Sequence, residues 1–289
     1  MADNSINMRE KLEKLTSFPV MPELAQKIVA LGSHPDINDL VAIVEIDPGL
    51  ASQIVRQATS PFFGYRGKIS SVRDAITRVL GVDRTLHLAF GVAASKALRS
   101  PADGPMGRKA MWIHAAYSAA LMQSLAASLP KETQTSPGMC YLGGLMHNIG
   151  LLLLGHLFPA ELHALNKAIL ANPHTPVIDL EQRLYLSDHA EMGMWLMKKW
   201  NMPPEVIMAV HKHHDMDYRG PYALFANLAF LADRLLRRLD MGDGDGEDLP
   251  AELLSTVGLQ ENDATGALQH LLEARSDLDS LAKHLAAAV

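Results

Sequence analysis

Apolar positions along the chain recur with helical spacing and are cut by dense helix punctuation, while long alternating runs of β-branched residues are missing. The pattern predicts an all-α protein, helix after helix, with no substantial sheet. Asp47-Pro48 places a capping carboxylate before a proline at the first helical position, and Ser71 with Asp74 three residues later has capping-box spacing. Further helix starts are read at Ser136-Pro137, Pro176, Pro203-Pro204-Glu205 and Pro221. Proline is tolerated there because the first helical N–H groups have no intrahelical partner anyway. Turn formers cluster at Ser100-Pro101-Ala102-Asp103-Gly104-Pro105 between two apolar-periodic segments, which predicts two helical lobes. The expected division is an N-terminal helical bundle over 1–103, a histidine-rich lobe over 104–240, and an acidic linker with closing helices over 241–289 that pack on the second lobe.

The acidic, glycine-rich stretch Asp240 to Asp248 superficially suggests a calcium loop, but Met241 would fall on a ligand position that needs oxygen. It reads as a solvated linker. Leu253 to Leu285 reads as amphipathic closing helices. Met192, Met194, Trp195 and Met197 make one helix apolar-rich, and core packing is the reading that methionine at helical spacing favours.

Composition narrows the function classes. With 289 residues and 48% hydrophobic content the chain can bury a substantial core without disulfides. Its single cysteine, Cys140, cannot form an internal bridge, and a reducing cytoplasm is the expected setting. The start, Met1-Ala2-Asp3-Asn4-Ser5, is polar and runs into charged residues, so no signal-peptide core is expected. The most apolar run, Leu151 to Leu154, falls far short of the roughly 20 residues a membrane span needs. A net charge of −6 without a basic stripe argues against nucleic acid as a partner.

Candidate chemistry sits in the histidines. Nine of thirteen fall between His114 and His214, spread over several predicted helices. His147 and Asn148 lie in Gly143-Gly144-Leu145-Met146-His147-Asn148-Ile149-Gly150, read as one helix. Glycine inside a helix costs about 1 kcal/mol relative to alanine, so these glycines imply close approach of another backbone or a ligand. His189, then His211, His213 and His214, then Asp233 follow. Imidazole and carboxylate are the donors expected for zinc, iron, manganese or nickel. Taken singly, each has a plainer reading: His114 a hydrogen-bonded core histidine, His213 and His214 a helix C-terminal pair, Asp233 a surface ion-pair residue beside Arg234 and Arg237. His156, His163 and His174 are assigned to surface or packing roles.

The ordered set His114, His147-Asn148, His189, His213-His214 and Asp233 resembles the HD superfamily of metal-dependent phosphohydrolases. The nearer resemblance is to the HDOD family, the HD-related output domain. It is carried by Leu15-Thr16-Ser17-Phe18-Pro19-Val20-Met21-Pro22, Val44-Glu45-Ile46-Asp47-Pro48-Gly49-Leu50, Ala58-Thr59-Ser60-Pro61-Phe62-Phe63-Gly64, Ile69 to Ile76 and Leu80-Gly81, and spans about Leu12 to Leu239. The resemblance makes His114, His147 and Asp233 members of the superfamily pattern and likens His189, His213 and His214 to the second-metal histidines of HD-GYP phosphodiesterases. Asn148 departs from it. The family position supplies a carboxylate to the metal centre, whereas an amide is neutral and has one good oxygen donor, which counts against a bridged dinuclear site.

The resemblance therefore implies a bacterial signal-transduction or regulatory module with a degenerate metal site, no catalytic residue assigned, and a protein partner acting in trans. A metal-dependent phosphohydrolase acting on a nucleotide or cyclic dinucleotide is the alternative. His114, His147 and Asp233 could still hold one ion, and so could His189, His213 and His214. A purely structural interaction scaffold would be favoured if His147 and His189 pointed away from each other.

Overall fold

A computed structural model of the chain describes residues 6–14, 18–32, 34–243, 246 and 248–287. Met1–Ser5 and the Leu15-Thr16-Ser17 part of the first motif lie outside the described residues. Among the described residues all regular structure is helical. Ahead of the turn at 100–105, in the segment termed the N-terminal lobe, come α1 (Met8–Glu13), α2 (Glu23–Ala30), α3 (Ile37–Val44), α4 (Pro48–Ala58), α5 (Val72–Ala75) and α6 (Gly81–Ser95). The histidine-rich lobe holds α7 (Arg108–Ala127), α8 (Pro137–Met146), α9 (Ile149–Leu157), α10 (Pro159–Ala171), α11 (Val177–Tyr185), α12 (His189–Lys199), α13 (Pro204–Lys212) and α14 (Ala223–Arg237). Three helices follow: α15 (Ala251–Val257), α16 (Glu261–Glu273) and α17 (Arg275–Ala287).

The predicted starts are helix N-termini. Asp47 accepts the N–H groups of Gly49 and Leu50 at 2.9 and 3.1 Å, and Ser136 accepts that of Met139 at 2.9 Å ahead of Pro137. Ser71 caps the N–H of Asp74 at 3.0 Å, but Asp74 turns to Ser70 and not to Ser71, so the box is half formed. Near Pro221 the helix starts two residues later, at Ala223, after Tyr222 takes a left-handed conformation at φ 59°.

One apolar core runs from Met8 to Leu285 and draws on both sides of the turn at 100–105, with Leu98 and Met106 both inside it. Met192 and Met197 are buried in it, as expected for packing residues. A second core lies between α7, α14, α15 and α16. The closing helices also reach the N-terminal lobe: His270 of α16 stacks on Phe62, and Arg56 donates to Ser280 of α17 at 2.7 Å. The stretch Pro137–Leu157 has the length and mean hydropathy, 1.3, of a bilayer span, which the short run Leu151 to Leu154 did not suggest. It is made of α8 and α9, and 94% of its apolar window is buried inside the fold.

Candidate metal centre

Small residues bring the histidine-bearing helices together. A Cβ on Gly144 would stand 2.6 Å from the Ser118 carbonyl oxygen, so glycine lets α8 press on α7 and sets His147 beside His114. A Cβ on Gly150 would lie 1.9 Å from the His189 carbonyl oxygen, so α9 and α12 meet backbone to backbone at the start of α12. The helix expected through 143–150 is broken at His147-Asn148: α8 stops at Met146 and α9 begins at Ile149. At the break the His147 Nδ1–H donates to the Gly144 carbonyl at 2.7 Å. His213, at the C-terminus of α13, uses its Nδ1–H in the same way on Val210 at 2.8 Å. Each imidazole is pinned by its own helix end and projects Nε2 forward.

Two donor sets result, and they share one residue. In the first, His114 Nε2, His147 Nε2 and Asp233 Oδ1 form a triangle with sides of 3.0, 3.0 and 3.2 Å. In the second, His189 Nε2 lies 3.2 Å from His213 Nε2, 3.1 Å from His214 Nε2 and 3.1 Å from Asp243 Oδ2, and His214 Nε2 is 3.2 Å from the same oxygen. Donors arranged tetrahedrally at bond lengths of about 2.0–2.1 Å stand about 3.3 Å apart. Asp243 belongs to both sets, and within each set the donor atoms all lie within 4.8 Å of one another. His147 and His189 both face His213, with ring centroids 5.1 and 5.2 Å away, so they point to a common centre and the scaffold criterion is not met.

Hydrogen bonding tests whether the residues fit an ion. His189 donates Nδ1–H to Glu181 Oε2 at 2.6 Å, and with His147 and His213 similarly committed, three neutral rings would present Nε2 lone pairs to the cluster. Lone pairs at these separations repel. One proton on His189 Nε2 can serve only one of its three neighbours, whereas a cation serves all of them. Both carboxylate oxygens of Asp233 are buried without a hydrogen bond of acceptable geometry, and so is Asn148 Oδ1. Such orphaned oxygens fit ion ligands. The Glu181–His189 contact is the carboxylate–imidazole arrangement that orients metal-binding histidines.

The buried carboxylates draw positive charge into the cluster: against burial, Asp233 and Asp243 raise the His147 imidazole above its ordinary value. Burial by itself would raise the Asp233 carboxyl, but His147 and His114 hold it well below the usual range. Asp243 is likewise pulled far down against its burial by His189 and His214. His213 is driven well below the ordinary imidazole value by burial and by His214, His147 and His189, which leaves it neutral and able to ligate. His189 moves well above, because Glu181 and Asp243 outweigh its burial.

The structure thus gathers His114, His147, Asn148, His189, His213, His214 and Asp233, seven residues marked in the sequence, at one place. Asp233 is buried, not a surface ion-pair residue. His211, His156, His163 and His174 are not in either set. The solvated-linker reading of 240–248 fails at Asp243, which is 2% exposed. The signal was Asn148 itself: an amide where a carboxylate is expected leaves a place for another acid. Glu181 also went unmarked, although a glutamate four residues after Val177 and next to Leu180 sits on the apolar stripe of α11.

The HDOD domain pattern matches residues 18–216, more than half of the chain. This chain belongs to the HDOD family. The matched span is narrower than the Leu12 to Leu239 range of the motifs, and Asp233 and Asp243 lie beyond it. This HDOD chain is 32% identical to a protein of Marinobacter aquaeolei VT8 named as a signal transduction protein, with a TM-score of 0.81 over 96% of this chain and 61% of that one. A protein of Shewanella amazonensis SB2B named as a phosphohydrolase shares the HDOD fold at 20% identity, with a TM-score of 0.72 over 96% of this chain and 97% of that one. An uncharacterised protein of Treponema pallidum (strain Nichols) is 27% identical over 252 residues, 86% of this chain and 47% of the relative. The chain therefore spans about half the length of the curated relative it matches.

Proposed function

We propose that this chain is a bacterial signal-transduction module of HDOD type whose histidine-rich lobe holds a divalent transition metal, zinc, iron, manganese or nickel, in a closed, non-catalytic centre, and which acts through a protein partner. The observation that carries the reading is closure. The side chains of His114, His147, His189, His213, Asp233 and Asp243 are at most 3% exposed, and His214 reaches only 13%. Structural metal sites are closed, whereas catalytic ones keep a position open for substrate. Retained metal with lost catalysis is a means of fixing a fold for recognition.

One observation favours the second reading, a phosphohydrolase. A cavity of about 510 Å³ is lined by Met106, His174, Arg237 and Met241 together with His114 and Asp243 of the centre. Arg237 there could pair with the phosphate of a nucleotide. The bound metal would supply Lewis-acid chemistry to a phosphodiester held in this cavity.

The test is elemental analysis by plasma mass spectrometry on protein purified without a histidine tag, with a phosphodiesterase assay on an activated aryl phosphodiester. Stoichiometric transition metal, lost in His147→Ala, together with no turnover is the expected result. Metal-free protein would sink the metal centre, and turnover abolished by His147→Ala would replace the non-catalytic reading with the enzymatic one.

A further inference from the structure

We infer that Asp243 bridges the two donor sets, and that the Asn148–Asp243 pair completes a site for two divalent transition-metal ions. The inference rests on the metal-centre reading above and goes beyond it in number of ions and in the identity of the bridge.

The two oxygens of Asp243 face different donor sets. Oδ2 lies 3.1 and 3.2 Å from the Nε2 atoms of His189 and His214. Oδ1 accepts the Asn148 Nδ2–H at 2.6 Å and lies 4.0 Å from His114 Nε2. A carboxylate that directs one oxygen to each set is placed as a bridge. An amide cannot bridge, because its nitrogen has hydrogens where a carboxylate has lone pairs. Here that nitrogen binds Asp243, which leaves Asn148 Oδ1 buried and without a partner. A buried acceptor left unmatched is destabilising. A cation beside Oδ1 would satisfy it, so the amide keeps one ligand atom and passes the anionic role to Asp243.

The backbone is built to deliver that residue. After α14 the N–H of Met241 bonds the Leu236 carbonyl at 3.1 Å and that of Asp240 bonds Arg237 at 3.0 Å, with Asp240 left-handed at φ 56°. This is a Schellman termination, and it turns the chain back over the lobe. Gly242, at φ 82°, then crosses the His114 ring so closely that a Cβ would lie 2.4 Å from the ring carbon Cε1. The next residue is Asp243, whose side chain enters between the sets. Charge agrees with two ions. Two dications need anionic ligands in a buried site, and apart from Asp243 the donor sets contain one carboxylate, Asp233. Asp243 supplies the second and lies within reach of both sets.

The decisive measurement uses full-length protein stripped with a chelator, dialysed against Mn(II), and read by plasma mass spectrometry and low-temperature electron paramagnetic resonance. The native chain should hold about two ions with an exchange-coupled signal, as a shared carboxylate between closely spaced metals requires. Asp243→Asn should hold about one, uncoupled. The exchange variant Asn148→Asp with Asp243→Asn should restore both the second ion and the coupling. A native chain holding a single ion, Asp243→Asn that keeps two coupled ions, or an exchange variant that stays at one would overturn the inference while leaving a metal centre in place. Absence of any metal in the native chain, with zinc, iron and nickel also tried, would instead remove the reading beneath it. Should Asp243→Asn fail to fold by circular dichroism, the exchange variant decides by itself.

Discussion

Two aspartates show how one side-chain type serves different ends in this protein. Asp243 is a buried anion among imidazoles, whereas Asp47 is a half-buried helix cap that also meets Lys96 across the N-terminal lobe. Burial would raise the Asp47 carboxyl, but Lys96 and the N–H groups of Leu50 and Gly49 bring it below its ordinary value. A folded-state value below the unfolded one means the stabilisation is present above the unfolded value, about 3.9, and is lost as pH falls through the lower folded value. Asp47→Ala should therefore cost about 0.5–2 kcal/mol near neutral pH, the usual worth of a cap. Paired urea titrations should show the gap between variant and native closing below about pH 4. A gap that stays constant well below that pH would show that the carboxylate charge is not what stabilises α4.

Helix pairs in the histidine-rich lobe approach through glycine, and the consequence differs from one helix to the next. At Gly150 the obstacle to a methyl group is the backbone carbonyl of His189, which cannot move aside without shifting α12 and the His189 imidazole with it. Gly150→Ala should destabilise by about 1–3 kcal/mol through overpacking. Gly266, in the exposed middle of α16, has nothing within 4 Å of a Cβ position. Gly266→Ala should stabilise by about 0.5–1 kcal/mol, because alanine restricts the unfolded chain and extends no clash. Denaturant midpoints at unchanged slope give both values. Equal effects at the two positions would mean that helix propensity, and not interhelical approach, decides.

Across the whole molecule, five imidazoles and two carboxylates are collected where α7, α8, α12, α13 and α14 meet, in a lobe whose surroundings are otherwise apolar. Such a centre is costly to keep dry unless an ion occupies it. Chelation should therefore lower the thermal midpoint of the whole chain, and re-addition of the metal should restore it. Linkage puts the difference at about 2.7 kcal/mol when free ion exceeds its dissociation constant about 100-fold. Calorimetry of chelator-treated and reconstituted protein checks this. Superimposable melting curves would mean that the buried charges balance one another without metal.

The helical class, the positions of most helix starts, and seven of the clustered residues were legible in the amino-acid order, because caps, prolines and local periodicity act over a few residues. The family motifs were legible for the same reason, being short and contiguous. Three decisions belonged to tertiary structure. The helix through His147-Asn148 breaks because the imidazole takes up a carbonyl of its own turn. Glu181 meets His189 only once the turn after α11, with Leu186 left-handed at φ 52°, sets the first residue of α12 beside it. Asp243 looks like one acid in a solvated run until the end of α14 and Gly242 carry it into a cluster assembled from helices up to 129 residues earlier in the chain, where a charge that water would have held is held by imidazoles instead.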